Sequence, residues 1–559
     1  MKKLFFLATF LFFSVAIFSQ ISEGGLPPSF VIPQNKSLNE IKPFKIEVKK
    51  DINKLISEDN TSKDKNTPLR IATIIPAEYD LAKDGEWTNI DNKSNKICRL
   101  SISSPGALGL ILSYEEFYIP YGGRLFIYSK DKGQVLGAYT HRTNPKGKEF
   151  STEIVYGDEL VLEYVDAKTG ELPRIKIKDI GYGYNNIFDY TKVEVEGEGF
   201  NESGNCQVNI NCKEGQNWQL QKKGVARSYT KIGNRGWFRC SGSLINNVNQ
   251  DKTSFYLSAY HCFFESGYTA DFATAQFYFN YEFPGCEDMS AKPQTAKSII
   301  GAQLLVTSPI DGGSDGILLK LNSEIPEDYD VYFNGWDINN IPAKNGVTIH
   351  HPQGDVKKIS TYTSPLVTGT YADAQSTSID NAHWIVRWSA TLNGHGTTEG
   401  GSSGAPIFNQ DGLIVGALTG GKTSCSNKTE IDFYGKMWYH WNQHPNTSYH
   451  MQPYLDPTNK VNKINGLANI SLPDEKLYPA YAYWDDPSTK SQLYIQITDN
   501  DDKMKNLTIV NLRGYNALKK TEGFSSNLYT ISVIGWPRGV YIIHLETEKG
   551  KRHSFKIIK

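Results

Sequence analysis

The sequence predicts a mostly β protein of several domains, and three observations carry the prediction. The chain has 559 residues, more than one hydrophobic core organises. It holds 32 Tyr, 26 Phe and 48 Gly, residues that suit pleated sheets and the turns between them. Short apolar runs of alternating character recur along it, bounded by turn signals. A net charge of -1 gives no reason to expect nucleic acid as a partner.

In chain order, residues 1–20 read as a secretory signal: Lys2-Lys3 form its positive end and Leu4 to Phe18 its apolar core, too short for a comfortable membrane span. Export places the rest where disulfides persist. Of the seven cysteines, Cys206, Cys212, Cys240, Cys262, Cys286 and Cys425 form an even set suited to three bridges, and Cys98 stands alone upstream.

Residues 21–200 are expected to be a pro-segment. Its first part, 21–70, is rich in Lys, Asn, Ser and Pro and reads as a mostly extended leader. From about 71 to 190, runs such as 124–128, 134–139 and 159–164 predict a β-sandwich. Taken alone it could equally be a binding module; its place between a signal and a cysteine-rich domain favours the pro-segment. An acidic, Gly-bearing stretch at 193–199 reads as a processing linker. Residues 201–465 have the size of two packed β-barrels. Residues 466–559 read as a linker followed by a small sandwich of about seven strands, with runs at 492–497, 507–512 and 539–545.

Chemistry concentrates in the 201–465 region. Gly400-Gly401-Ser402-Ser403-Gly404-Ala405-Pro406 places serine between glycines, which permits a tight turn aiming a hydroxyl and two backbone N–H groups at one point. Read alone, it is a Gly/Ser hairpin loop. Upstream, Leu257-Ser258-Ala259-Tyr260-His261-Cys262 delivers a histidine at the end of an apolar strand. Cys240 is a natural partner for Cys262, and that bridge would hold the histidine in one geometry, as a general base requires. Asp315 leads directly into the apolar 316–319 run; a buried carboxylate needs a partner, and a histidine N–H suits it. Asp311 is the alternative acid and Ser402 the alternative nucleophile. The order His261, Asp315, Ser403 makes a triad hypothesis for acyl transfer, with the backbone N–H groups of Gly401 and Ser403 as oxyanion donors. His350-His351, adjacent on a strand, point to opposite faces, and no zinc set completes them, so neither metal nor cofactor is expected. Asp499-Asn500-Asp501-Asp502 reads as a solvated turn.

These motifs resemble the chymotrypsin-like serine peptidases, whose histidine sits in T-A-A-H-C and whose serine sits in G-D-S-G-G-P. The bacterial lysyl endopeptidase group is a closer match over roughly 204–460. It covers Gly204-Asn205-Cys206, Cys240-Ser241-Gly242-Ser243-Leu244-Ile245, Asn334-Gly335-Trp336-Asp337, Ile349-His350-His351-Pro352 and Thr398-Glu399-Gly400-Gly401-Ser402-Ser403-Gly404. The resemblance implies a trypsin-like double β-barrel and the bridges Cys206–Cys425, Cys212–Cys286 and Cys240–Cys262. It also implies cleavage of the precursor near Asn201 and a pocket aspartate, here Asp432, that binds the P1 cation. The group carries a histidine before Gly-Gly, packed on a tryptophan; here Thr419 precedes Gly420-Gly421, and Trp388 is the candidate tryptophan. That departure leaves Arg beside Lys as a P1 residue. The C-terminal stretch resembles a type IX secretion sorting domain in Leu477-Tyr478-Pro479, 510–515, 539–543 and the ending Lys556-Ile557-Ile558-Lys559. This implies a Gram-negative bacterium, with the protein secreted or on its surface.

The expected function is therefore a secreted serine endopeptidase cutting after Lys. Its partners would be polypeptide substrates, its own pro-segment and the secretion machinery. The alternatives are a non-catalytic adhesin of β-domains and a triad esterase.

Overall fold

A computed structural model of the chain describes residues 22–31, 38, 40–61, 67–90, 95–185, 203–265, 267–287, 297–373, 376–469, 480–484, 490–497, 502–511, 516–521, 524 and 528–559. The signal, the 193–199 linker, the cleavage expected near Asn201, Leu477-Tyr478-Pro479 and residues 499–501 of the acidic turn lie outside the described residues. The chain divides into two compact units, Met1–Asn469 and Ile470–Lys559.

The first unit opens with a β-sandwich. One sheet orders Phe44–Lys45, Lys96–Ser103, Glu159–Val165, Arg124–Ser129 and Val135–Tyr139. The opposing layer holds Leu69–Asp80, Arg174–Gly183 and Gly109–Tyr118. Alternation does the sorting: Leu160, Leu162 and Tyr164 of one strand enter the shared core with Leu110, Leu112, Ile175 and Ile177 from the other layer, while Val161 faces away. The leader departs from the extended chain expected of it. Ile52–Thr61 is a helix whose Ile52, Leu55 and Ile56, spaced for one helical face, pack on this core, and Phe44–Lys45 adds a parallel strand beside Ile102 and Ser103. The first strand of the opposing layer begins at Leu69.

Two β-barrel sheets follow. In the first, Gly236–Leu244 pairs with Val225–Ile232 and Phe255–Ala259, and the latter pairs with Gly316–Leu321. Phe238, Tyr256, Phe277 and Leu319 fill its interior. The second sheet includes Lys358–Tyr362, Gly346–His350, Pro406–Asn409, Ile414–Gly421, Asp432–Lys436 and His383–Val386, around Tyr362, Trp384, Ile407 and Tyr434. Three bridges join Cys206 to Cys425, Cys212 to Cys286 and Cys240 to Cys262; Cys98 is free and buried in the sandwich. The stretch expected to start a linker at 466 still belongs to this body, because Leu467–Ala468 pairs with Tyr332–Phe333.

In the second unit the described strands form a three-stranded sheet, Ala480–Trp484, Gln492–Ile497 and Leu528–Ser532. A four-stranded sheet comprises Asn516–Lys520, Met504–Asn511, Val540–Thr547 and Arg552–Ile558. Leu493, Ile495, Leu507, Ile509, Ile543 and Leu545 make its core.

Candidate active site

Strand register brings the first two side chains together. Phe255–Ala259 runs antiparallel to Gly316–Leu321, with Ala259 opposite Gly316 as the last rung, so the chains just beyond that rung carry His261 and Asp315 side by side. Asp315 adopts φ +59, a left-handed conformation that Asp tolerates better than most residues. Four contacts hold it there. Its N–H donates to Pro309 O (3.2 Å) and its carbonyl accepts from Tyr260 N (3.2 Å). Its Oδ1 accepts from His261 N (3.0 Å), and its Oδ2 lies 2.8 Å from His261 Nδ1. A carboxylate only accepts, so the ring proton resides on Nδ1 and Nε2 keeps its lone pair. His261 and Asp315 are 4% and 0% exposed, and Nε2 has no hydrogen-bond partner among the described residues. Cys240 and Cys262 press on the same ring; their bonded sulfurs and an imidazole nitrogen lie within 4.8 Å of one another. Asp311 is engaged elsewhere, accepting from Thr377 N (2.8 Å).

The serine turn packs on the strand that carries His261. A Cβ on Gly404 would come within 2.1 Å of Ser258 Oγ and 2.8 Å of Ala259 N, and Gly404 has φ +79, so only glycine serves there. Ser241 N–H donates to Ser403 O (2.8 Å) and Gly404 N–H to Leu418 O (2.8 Å). Gly400 O accepts from Gln353 N (2.6 Å), which directs the N–H of Gly401 in the same peptide plane to the opposite side. The Ser402 hydroxyl is engaged: it lies 2.8 Å from His350 Nδ1 and accepts from Glu399 N (3.1 Å). His351 instead uses Nδ1 on Asp355 O (2.9 Å), so the histidine pair serves two separate structural contacts.

On the second sheet, Asp432 is fully buried. Its Oδ2 accepts from Trp388 Nε1 (2.7 Å), Thr398 Oγ1 (2.7 Å) and Thr423 Oγ1 (2.6 Å). Gly421 stands opposite Asp432 in the ladder, where a Cβ would lie 2.1 Å from its Oδ1, and Gly420 stands opposite Phe433. Thr419 Oγ1 meets His383 Nε2 at 3.0 Å. Sequence reasoning passed over Thr398, Thr423, His383 and a further contact, Ser314 Oγ to His440 Nδ1 (2.8 Å), which steadies the turn before Asp315.

Burial pushes His383 down to about 3 and His440 down to about 4, so both rings are neutral in the folded protein. In the unfolded chain they protonate near 6.5. Between pH 6.5 and 4 the unfolded state therefore binds more protons, and stability falls as pH falls. Thermal unfolding from pH 7 to pH 4 is expected to follow that slope, and His440→Asn to flatten it. Parallel curves for the two proteins contradict the assignment.

Residues 200–435 match the family described as lysyl endopeptidase, C-terminal domain, and residues 487–559 match the secretion system C-terminal sorting domain. A lysyl endopeptidase of Pseudomonas aeruginosa is 26% identical over 384 residues, which is 65% of this chain and 77% of that protein. Among solved structures, the thermostable serine protease AL20 from an extremophilic microorganism is 15% identical and covers 43% of this chain and 100% of its own, with a TM-score of 0.30. A Glu endopeptidase is 15% identical and covers 43% of this chain and 94% of its own, with a TM-score of 0.26. The chain is thus similar to the lysyl endopeptidases over its central part and to secretion sorting domains at its C-terminal end.

Proposed function

We propose that the protein is a secreted endopeptidase that hydrolyses peptide bonds after Lys, with Arg as the alternative P1 residue. The contact of both Asp315 oxygens with His261, through its N–H and its Nδ1, carries the proposal. Ser403 attacks the scissile carbonyl, and His261 Nε2 takes its proton and passes it to the leaving amine. Asp315 holds the ring and stabilises the imidazolium, and the N–H groups of Gly401 and Ser403 receive the oxyanion. The acyl-enzyme then yields to water by the same proton path in reverse.

Asp432 binds the P1 cation. Trp388, Thr398 and Thr423 are neutral donors, so they orient its carboxylate without cancelling its charge, and an arriving ammonium completes a desolvated pair. Residues 21–200 act as the pro-segment of a precursor cut near Asn201. The C-terminal unit directs export by type IX secretion to the medium or cell surface of a Gram-negative bacterium.

Asp432→Ser tests the pocket. An unpaired buried ammonium costs about 3–5 kcal/mol, so kcat/KM for a Lys peptide should fall by about a hundred- to several-thousand-fold. Cleavage of a peptide with a neutral P1 residue should change far less. An unchanged ratio between the two substrates removes Asp432 from the pocket.

A further inference from the structure

Asp315 carries a support that the proposed chemistry does not use. Gly316, the next residue, ends two strand pairings, opposite Ala259 on one side and Ser308 on the other. Gly435 lies in Asp432–Lys436 of the second sheet. Neither has a positive φ, so backbone geometry does not require glycine at either position. Space requires it. A Cβ on Gly316 would lie 2.4 Å from both Cε1 and Nδ1 of His440, and one on Gly435 would lie 2.9 Å from Cε1 and 3.0 Å from Nε2. The imidazole therefore fills a slot between the two strands that a side chain on either would close. His440 is fully buried there. Its helix, Met437–Asn442, is anchored beside it. Met437 and Trp441 are buried in the core, Trp441 Nε1 donates to Asn459 Oδ1 (2.9 Å), and His440 O accepts from Met451 N (2.9 Å). At the turn, His440 Nδ1 lies 2.8 Å from Ser314 Oγ, which lies 3.2 Å from Ser308 Oγ. Ser308 Oγ accepts from Ser314 N (3.1 Å), and Gly313 N donates to Ile310 O (3.1 Å), so the 308–315 turn is closed on itself and tied to the helix.

We propose that His440 is a positioning residue: it braces Ser314 and Gly316, the two neighbours of Asp315, and so fixes the direction from which the carboxylate meets His261. The inference rests on Asp315 being the acid that orients the base. At φ +59, Asp315 holds a conformation that residues other than glycine visit seldom, so its place depends on what holds the residues around it. Ser314 is held through its hydroxyl, and Gly316 by direct packing of the ring. Burial pushes His440 down to about 4, so at neutral pH the ring is uncharged and acts on Asp315 by placement, not by its field. A displaced carboxylate misaligns His261 Nε2 with the Ser403 hydroxyl, while the donors around Asp432 stay as they are. The loss then falls on kcat and leaves KM unchanged.

The test compares cleavage of a short Lys peptide by variants of the full chain. Ser314→Ala removes the hydroxyl and leaves the ring in its slot. His440→Phe keeps the slot filled and removes the partner of Ser314, and His440→Asn keeps a hydrogen-bonding group where Nδ1 stood. Ser314→Ala and His440→Phe are each expected to lower kcat about ten- to a hundred-fold at unchanged KM. The double variant should lose no more than the worse of the two, because both break one contact. His440→Asn should recover most of the loss. In an Asp315→Asn background neither Ser314→Ala nor His440→Phe should change kcat by more than about two-fold, since no carboxylate is left to place. A support that serves folding alone would cost the same in both backgrounds, and that result overturns the proposal. So does a loss confined to KM, or full kcat in Ser314→Ala. Where His440→Phe does not fold, Ser314→Ala gives the same comparison by itself. Near wild-type activity in Asp315→Asn overturns the triad reading instead; a silent Asp315→Asn beside a fully active Ser314→Ala overturns only the role of His440.

Discussion

Replacing Ser403 with Ala is expected to lower kcat/KM for peptide cleavage by about a million-fold, leaving the residual acceleration that binding and oxyanion donors supply. The size of the effect follows from the proposed division of labour. Removing the hydroxyl removes the atom that forms the acyl bond, and His261 Nε2 then has no proton to accept from it. The fold should be untouched. Ser403 is 1% exposed, but the turn is held by main-chain bonds from Ser241 and to Leu418 that alanine keeps. Ser402→Ala is the matched control. Its hydroxyl belongs to a contact with His350 and Glu399, so it should cost stability while sparing most of the chemistry. Kinetics and thermal unfolding on the two variants separate these roles, and activity that survives in Ser403→Ala while vanishing in Ser402→Ala reverses the assignment.

The second large effect is expected at Asp315. Asp315→Asn should reduce kcat/KM by about ten-thousand-fold with little loss of folded protein. Both carboxylate oxygens face donors, Oδ1 the His261 backbone N–H and Oδ2 the ring Nδ1. An amide offers only one acceptor oxygen, so its NH2 must confront one of them. The arrangement that preserves the backbone bond turns the amide hydrogens toward Nδ1, moves the ring proton to Nε2 and deprives Ser403 of its base. Asparagine tolerates the left-handed backbone at φ +59, so strain does not confound the result. Retained folding by circular dichroism with activity near wild type contradicts the role given to Asp315.

The His261–Asp315 contact was legible in the sequence, because one apolar strand ends at His261 and another starts after Asp315; the serine turn read alone is a Gly/Ser hairpin loop and gained a role only beside that pair. The 159–164 run announced its strand through Leu160, Leu162 and Tyr164, although Val161 and Glu163 on the other face are buried as well. Other features lacked a local signature. Three apolar residues make Ile52–Thr61 a helix, yet Glu, Asp, Asn and Lys around them read as leader. Thr398 and Thr423 look like any loop threonines; only the folded second sheet brings both onto Asp432. The pairing of Leu69 with Arg239 joins segments far apart in sequence, and no periodicity in either announces the other.

The most direct measurement is the digestion of one denatured protein by the processed chain, with the new C-terminal residues read by mass spectrometry. The account predicts fragments that end in Lys, with Arg ends as the minor class, and none from the Ser403→Ala chain. Intact substrate, or ends spread over uncharged residues, contradicts it.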